Sequence, residues 1–245
     1  INPSSDKKFL EIDNSINKRE NYSNILSNSQ QENCFIKTAI LNINSRGVFG
    51  NKIGDDGCVS LVEKLAVQPN HSLTSLNLCW NNLGVGAGNA IGIMLSTTNA
   101  TLRTLNLETN PMHDAACKSM GLLMSMRSSP LVLETFMLTW AEITEDGATG
   151  LEQVFSKCGG LRYIDLSYNN IGNSGMASIV CGISTHSINT IQHLNFNSLQ
   201  LTPGGISAVA ELARKSSSLK YLNLSNNAIG DVGCCELVEA LLTNK

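Results

Sequence analysis

An eleven-residue phrase recurs six times along this chain. Leu73-Thr-Ser-Leu76-Asn-Leu78-Cys-Trp-Asn81-Asn-Leu83 returns as Leu102-Arg-Thr-Leu105-Asn-Leu107-Glu-Thr-Asn110-Pro-Met112, then over residues 133–143, 161–171, 191–201 and 219–229. The first apolar residue of each copy follows the last by 29, 31, 28, 30 and 28 residues. One copy cannot bury its apolar face alone, so copies must stack on one another, and a fixed period of this length prescribes a solenoid. A solenoid is a single elongated unit with long surfaces. It shifts the expectation toward binding and away from catalysis.

Each unit has two halves. In the first, apolar residues alternate, as in Leu76-Asn-Leu78, which marks a short strand. The second has helical period. The phrase ends on an apolar residue (Leu83, Met112, Ile143, Ile171, Leu201, Ile229). A small residue follows at four (Ala87, Ala116, Gly147, Gly175, Gly205, Gly233) and an apolar one at eight (Ile91, Met120, Leu151, Ile179, Val209, Leu237). Another stands at twelve (Leu95, Met124, Phe155, Ile183, Ala213, Leu241). This spacing predicts a helix with one buried stripe, and the small column lets its first turn approach the strand layer. The same ruler fits Ile53, Gly57, Leu61 and Leu65, so the repeats number seven. The first then has its strand at residues 40–43 and an insertion of five residues before its helix.

Residues 1–35 differ from the rest. They are rich in Asn, Ser and Lys, with Phe9, Ile12, Ile16, Tyr22, Ile25 and Leu26 at loose helical spacing. They read as a helical N-terminal cap or a flexible lead-in, and residues 36–245 as the repeat domain. No capping segment is recognisable after the last helix, and the expectation is a longer protein.

The strings LxxLxLxxN and xIGxxG, at this spacing and with a helix in each unit, resemble the ribonuclease-inhibitor-like leucine-rich repeat proteins. The resemblance covers residues 36–245. It implies an α/β horseshoe with a parallel sheet on the concave face and helices on the convex face. It also implies a protein partner, without choosing among the partners of such proteins.

Bulk composition narrows the function further. Net charge is −3 and charged residues make up 15% of the chain, which speaks against a nucleic-acid binder held by a basic field. No apolar run reaches membrane-span length. The eight cysteines include no CxxC pair and read as free thiols in a reducing compartment, the cytoplasm or nucleus. A disulfide framework is the alternative. In the vicinal pair Cys234-Cys235, one thiol is expected to pack inward and its neighbour to face the surface. Gly84, Gly86 and Gly88 follow a strand and open a helix, yet Asn89 stands where a dinucleotide fingerprint needs its third glycine. The histidines are not at ligand spacing, so neither metal nor cofactor is expected.

The informative residues are those that do not repeat. Strand residues between the consensus apolars face the concave side. The column before the turn asparagine reads Trp80, Thr109, Trp140, Tyr168, Ser198, Asn226. The column before the second leucine reads Ser75, Thr104, Thr135, Tyr163, His193, Tyr221. Both tryptophans and three of the four tyrosines therefore fall on one face. With strands ~4.8 Å apart, Trp140 is expected to touch Tyr168 and Trp80 to lie two strands away. Trp and Tyr are favoured interface anchors, so Trp80, Trp140, Tyr163, Tyr168 and Tyr221 are candidate partner-binding residues. Met137 and Asp165 replace Asn in an adjoining column beside them, and Arg103, Glu108 and Arg162 supply a polar rim. The bland alternative is that strands favour aromatics and the rings merely stack.

No catalytic residue is expected. Two other functions compete with partner binding. The Ran GTPase-activating proteins share the resemblance and carry an arginine in an extended early loop. Arg46 stands in the inserted loop of repeat one, although its neighbours do not reproduce that family's loop and an acidic tail is missing. The other is a structural subunit gripped along its helices.

Overall fold

A computed structural model describes residues 51–67, 73–97 and 101–244, with the strands at 8–11 and 39–42. The strands are β1 Lys8–Glu11, β2 Ala39–Asn42, β3 Leu73–Asn77, β4 Thr104–Asn106, β5 Thr135–Met137, β6 Tyr163–Asp165, β7 His193–Asn195 and β8 Tyr221–Asn223. They form one open sheet in sequence order, every neighbour parallel. The described helices are α1 Gly54–Val67, α2 Val85–Thr97, α3 His113–Ser125, α4 Glu145–Ser156, α5 Gly172–His186, α6 Pro203–Lys215 and α7 Gly230–Thr243. Each packs on the helix of the next repeat. The molecule is a leucine-rich repeat solenoid, strands in one layer and helices in the other.

Two boundaries differ from the sequence reading. In repeat one, β2 begins at Ala39, one residue early. Lys8–Glu11 forms a strand paired with β2 rather than helix, because it meets the open backbone edge that β2 offers on that side. The rest of the lead-in, including Ile12, Ile16 and Tyr22, lies outside the described residues.

The consensus apolars fill the space between the layers. Leu76, Leu105, Phe136, Ile164 and Leu194 form one fully buried row, and Leu78, Leu107, Leu138, Leu166 and Phe196 another. Phe136 meets Phe155 of α4 edge to face at 5.3 Å, which ties strand to helix. The last repeat is less covered, with Val232, Val238, Leu241 and Leu242 exposed on α7. Close approach of neighbouring helices depends on missing side chains. A Cβ at Gly150 would stand 2.4 Å from the backbone of Cys117 on α3.

The turn asparagines join the repeats. Asn169 donates from Nδ2 to the carbonyls of Leu138 and Leu166, both at 2.8 Å. Its Oδ1 accepts from the N–H groups of Ala141 and Ile143, both at 3.1 Å. Asn110 and Asn227 repeat this pattern one turn across, on Leu78 and Leu107 and on Phe196 and Leu224. Backbone groups that leave the sheet are thereby satisfied by the neighbouring repeat.

In repeats four and six, Ala141 and Leu199 stand where the others carry the turn asparagine. The structure shows a wider rule. Repeats two, four and six carry a left-handed residue just before the last apolar of the phrase: Asn82, Glu142 and Gln200, φ 56–60°. Repeats three, five and seven carry it just after: His113, Gly172 and Gly230, φ 54–64°. Repeat two keeps Asn81 and still shares the turn of repeats four and six. Two loop geometries therefore alternate, and one of them tolerates loss of the asparagine.

A side-chain cap follows the same alternation. Asp114, in the first turn of α3, accepts from Thr144 N at 2.7 Å and Thr144 Oγ1 at 2.6 Å, just ahead of α4. Asp55 accepts from Gly84 and Gly86, and Asn173 accepts from Thr202 N at 3.0 Å. Odd repeats thus cap the helix starts of even ones, where unpaired N–H groups gather. The small column accommodates this cap, since a Cβ at Gly147 would fall 2.4 Å from Asp114 Oδ1.

Candidate partner-binding face

Register confirms the column before the second leucine. Ser75, Thr104, Thr135, Tyr163, His193 and Tyr221 are successive partners across six strands. The candidate aromatics nevertheless divide into two groups. Tyr163 and Tyr221 begin strands β6 and β8. Trp80, Trp140 and Tyr168 stand beyond the strand ends, in the turns toward the helices. Five residues at ~3.3 Å each place the two groups at most roughly 16 Å apart.

The turn group has an unusual backbone. All six residues of its column are left-handed: Trp80 φ 61°, Thr109 54°, Trp140 50°, Tyr168 59°, Ser198 55° and Asn226 55°. This region favours Gly and Asn, and a bulky side chain there is strained. The preference of strands for aromatic residues does not apply at these positions. The turn occurs in all six of these described repeats whether or not a ring is present, so the rings are not required by it. Trp80, Trp140 and Tyr168 remain 48%, 58% and 41% exposed. Trp140 and Tyr168 stack with centroids 4.6 Å apart and planes 13° from parallel.

The strand group forms a looser row. Tyr163 and His193 have centroids 6.1 Å apart, and His193 and Tyr221 6.0 Å. His193 was not among the candidate anchors, although its place between two tyrosines in one column marks it. Burial, and after it the Asp165 carboxylate, push the Tyr163 phenol up to about 12. Asp165 is 7% exposed and its oxygens are engaged. Oδ1 accepts from Ser167 N and Oγ, and Oδ2 from Asn195 Nδ2 and Tyr163 Oη. These bonds tie Asp165 to Ser167, Asn195 and Tyr163. Met137 lies beside Asp165 in register, half-buried.

The polar rim runs along the strand starts. Arg103 pairs with Glu134, and Arg162 Nε lies 3.6 Å from the same carboxylate. Both arginines are more than half exposed, so these pairs add little stability and leave charge at the surface. Glu108 sits at the other end of the strands, accepting from Asn106 Nδ2 at 3.0 Å and Thr139 Oγ1 at 3.3 Å.

A feature absent from the sequence reading lies beside the stack. An open groove of about 680 Å³ runs from Trp140 and Tyr168 across Ser198 to Asn226, with Asn170, Gln200 and Thr202 along it. Its signal was the change from ring to small polar residue at Ser198 within an aromatic column.

A leucine-rich repeat family model matches residues 48–62, 70–92, 161–180 and 215–237. Ribonuclease inhibitor from Sus scrofa is 28% identical over 197 residues, 79% of this chain and 41% of that protein. The Mus musculus inhibitor is 29% identical over 78% of this chain, again spanning 41% of it. The chain is a leucine-rich repeat solenoid similar to the ribonuclease inhibitors. The chain spans about two fifths of the length of these inhibitors. Human NACHT, LRR and PYD domains-containing protein 12 is 27% identical over 82% of this chain and 18% of that protein. A chain in the crystal structure of the yeast Rad7 and Elc1 complex shares the fold, with TM-score 0.55, 22% identity and coverage of 89% of this chain and 50% of that one.

Three further expectations meet the structure here. Arg46 and the loop up to residue 50 lie outside the described residues. Cys58, Cys117 and Cys158 are free and buried, Cys79 is buried, and Cys181, Cys234 and Cys235 are free and exposed. The vicinal pair therefore does not divide into one inward and one outward thiol, because α7 is flanked by a described helix on one side only. Among the described residues no helix is long and apolar enough to cross a membrane.

Proposed function

We propose that this chain is a protein-interaction scaffold whose partner docks on the aromatic turns, with the strand-start row as a second contact zone. The observation that carries the reading is the placement of Trp80, Trp140 and Tyr168. Three large rings stand exposed at backbone positions that disfavour them and that other repeats fill with Thr, Ser and Asn. Folding does not require them there, and exposed aromatic clusters mark contact sites. Arg103, Arg162 and Glu134 give the second zone its charged rim.

The comparisons support the same class. Ribonuclease inhibitors, by their name, act on another protein, and the yeast relative in fold was solved in a complex. We place the role in binding rather than catalysis. Free buried thiols support a reducing compartment, the cytoplasm or nucleus.

The test is capture from cells with wild type and with the Trp140→Ala, Tyr168→Ala double variant. A partner retained by wild type and lost by the variant supports the scaffold reading. Equal recovery of every partner by both ends it.

A further inference from the structure

The aromatic column stops abruptly. Trp140 and Tyr168 stack at 4.6 Å, close to the ~4.8 Å spacing of adjacent strands, so the stack has the period of the solenoid itself. The next position is Ser198. Its backbone has φ 55°, against 59° for Tyr168 and 50° for Trp140, so a side chain there leaves the turn in the same direction. A ring at 198 would continue the stack. The serine leaves that place open, its Oγ turned to Asn197 Oδ1 at 3.0 Å. The groove of about 680 Å³ occupies this place, with Tyr168 as one wall and Asn226 as the other.

The chemistry of the lining narrows the guest. None of the lining side chains is charged, and most are amides or hydroxyls. Gln200 Nε2 donates to Asn170 Oδ1 at 2.8 Å, and Asn226 Nδ2 to Asn197 Oδ1 at 2.9 Å. These bonds hold the amides in fixed orientations and leave Gln200 Oε1 and Asn226 Oδ1 as acceptors for a guest's N–H groups. A charged guest would lose water without gaining a counter-charge. A neutral ring with peptide N–H groups beside it matches both surfaces.

Resting on the scaffold reading, we propose that the partner inserts one uncharged aromatic side chain, carried on a peptide segment, over Ser198 as the third ring of the stack. Tyr168 is the wall it stacks on, and Gln200 and Asn226 bind the backbone beside it. A nucleobase is also flat, but it brings phosphate to a chain of net charge −3 that carries the exposed Glu142 beside Trp140.

A random peptide library displayed on phage, selected on the wild-type chain, tests this directly. Selected peptides are expected to carry Trp, Tyr or Phe at one shared position. Alanine at that position, or Ser198→Trp in the chain, weakens them by about tenfold, the scale of one stacking contact. Should Ser198→Trp fail to fold, Asn226→Trp narrows the groove from its far wall. Absence of any selected peptide, peptides without a shared aromatic, unchanged affinity in the filled-groove variant, or displacement by a single-stranded oligonucleotide overturns the proposal. Loss of a cellular partner in the Trp140, Tyr168 double variant but not in Ser198→Trp overturns the inserted ring alone and leaves the scaffold reading standing.

Discussion

Trp140 and Tyr168 lie ring on ring, 4.6 Å between centroids and 13° from parallel, each on a left-handed backbone. Stacking contributes about 0.5–1.5 kcal/mol, and the left-handed conformation costs a bulky residue about 1–2 kcal/mol. The conformational cost falls on both residues while the stack counts once, so the pair adds nothing net to folding. Asn stands at the same column position in repeat seven as Asn226. The Trp140→Asn, Tyr168→Asn variant should therefore unfold in urea within about 1 kcal/mol of wild type, whereas Phe136→Ala in the core should lose about 3–5 kcal/mol. A loss of core size in the asparagine variant would mean that the rings exist to hold the fold.

The cap from Asp114 to Thr144 gives a graded prediction. Asp114→Ala removes the acceptor of two hydrogen bonds ahead of α4 and should cost about 1–2 kcal/mol. Asp114→Asn should cost much less, because Asn173 fills the same role toward Thr202. Asn169→Ala strips four backbone groups of their partner and should cost about 3 kcal/mol or more. Equilibrium urea unfolding of the three variants checks the order.

Thiol reactivity should follow burial. Burial pushes Cys58 and Cys158 up to about 12 and raises Cys117 as well, so in the native state all three should resist alkylation at neutral pH. Cys234 and Cys235 are exposed and should react first. Cys181 is exposed too, but a hydrogen bond with Glu152 raises its pKa, so it should react more slowly. Timed iodoacetamide labelling with peptide mass spectrometry reads each site separately.

Tyr163 should ionise late. Its phenol is raised from 10.0 to about 12, first by burial and then by Asp165. A raised acid favours the protonated folded state, so the stability it contributes is full below about pH 10 and lost as pH climbs through 12. Ultraviolet titration of the tyrosines should show one late phase. Asp165→Asn should move that phase to lower pH by removing the neighbouring negative charge.

The scaffold was readable because its chemistry repeats. The row from Leu76 to Leu194 and the asparagines at 110, 169 and 227 each recur at fixed spacing, and each recurrence meets its neighbour in register. The alternation of loop geometry was present too, in spacings of 29, 28 and 28 residues from even to odd repeats against 31 and 30 from odd to even. What escaped was whatever depends on the sign of φ. Trp and Tyr carry no mark of a left-handed backbone, so Trp140 and Tyr168 read as strand residues on one face with Tyr163 and Tyr221. The groove escaped because it is made by what Ser198 lacks. β1 escaped because Lys8-Phe-Leu-Glu11 shows too little of the phrase to declare itself a strand.

The most direct measurement places a photo-cross-linking amino acid at Thr109, between Trp80 and Trp140 in the turn column, and separately at Leu122, 70% exposed on α3 of the helical layer. Irradiation in cells should join a partner to the chain through position 109 and not through position 122. Adducts through 122 alone would contradict docking at the aromatic turns and show instead a protein gripped along its helices.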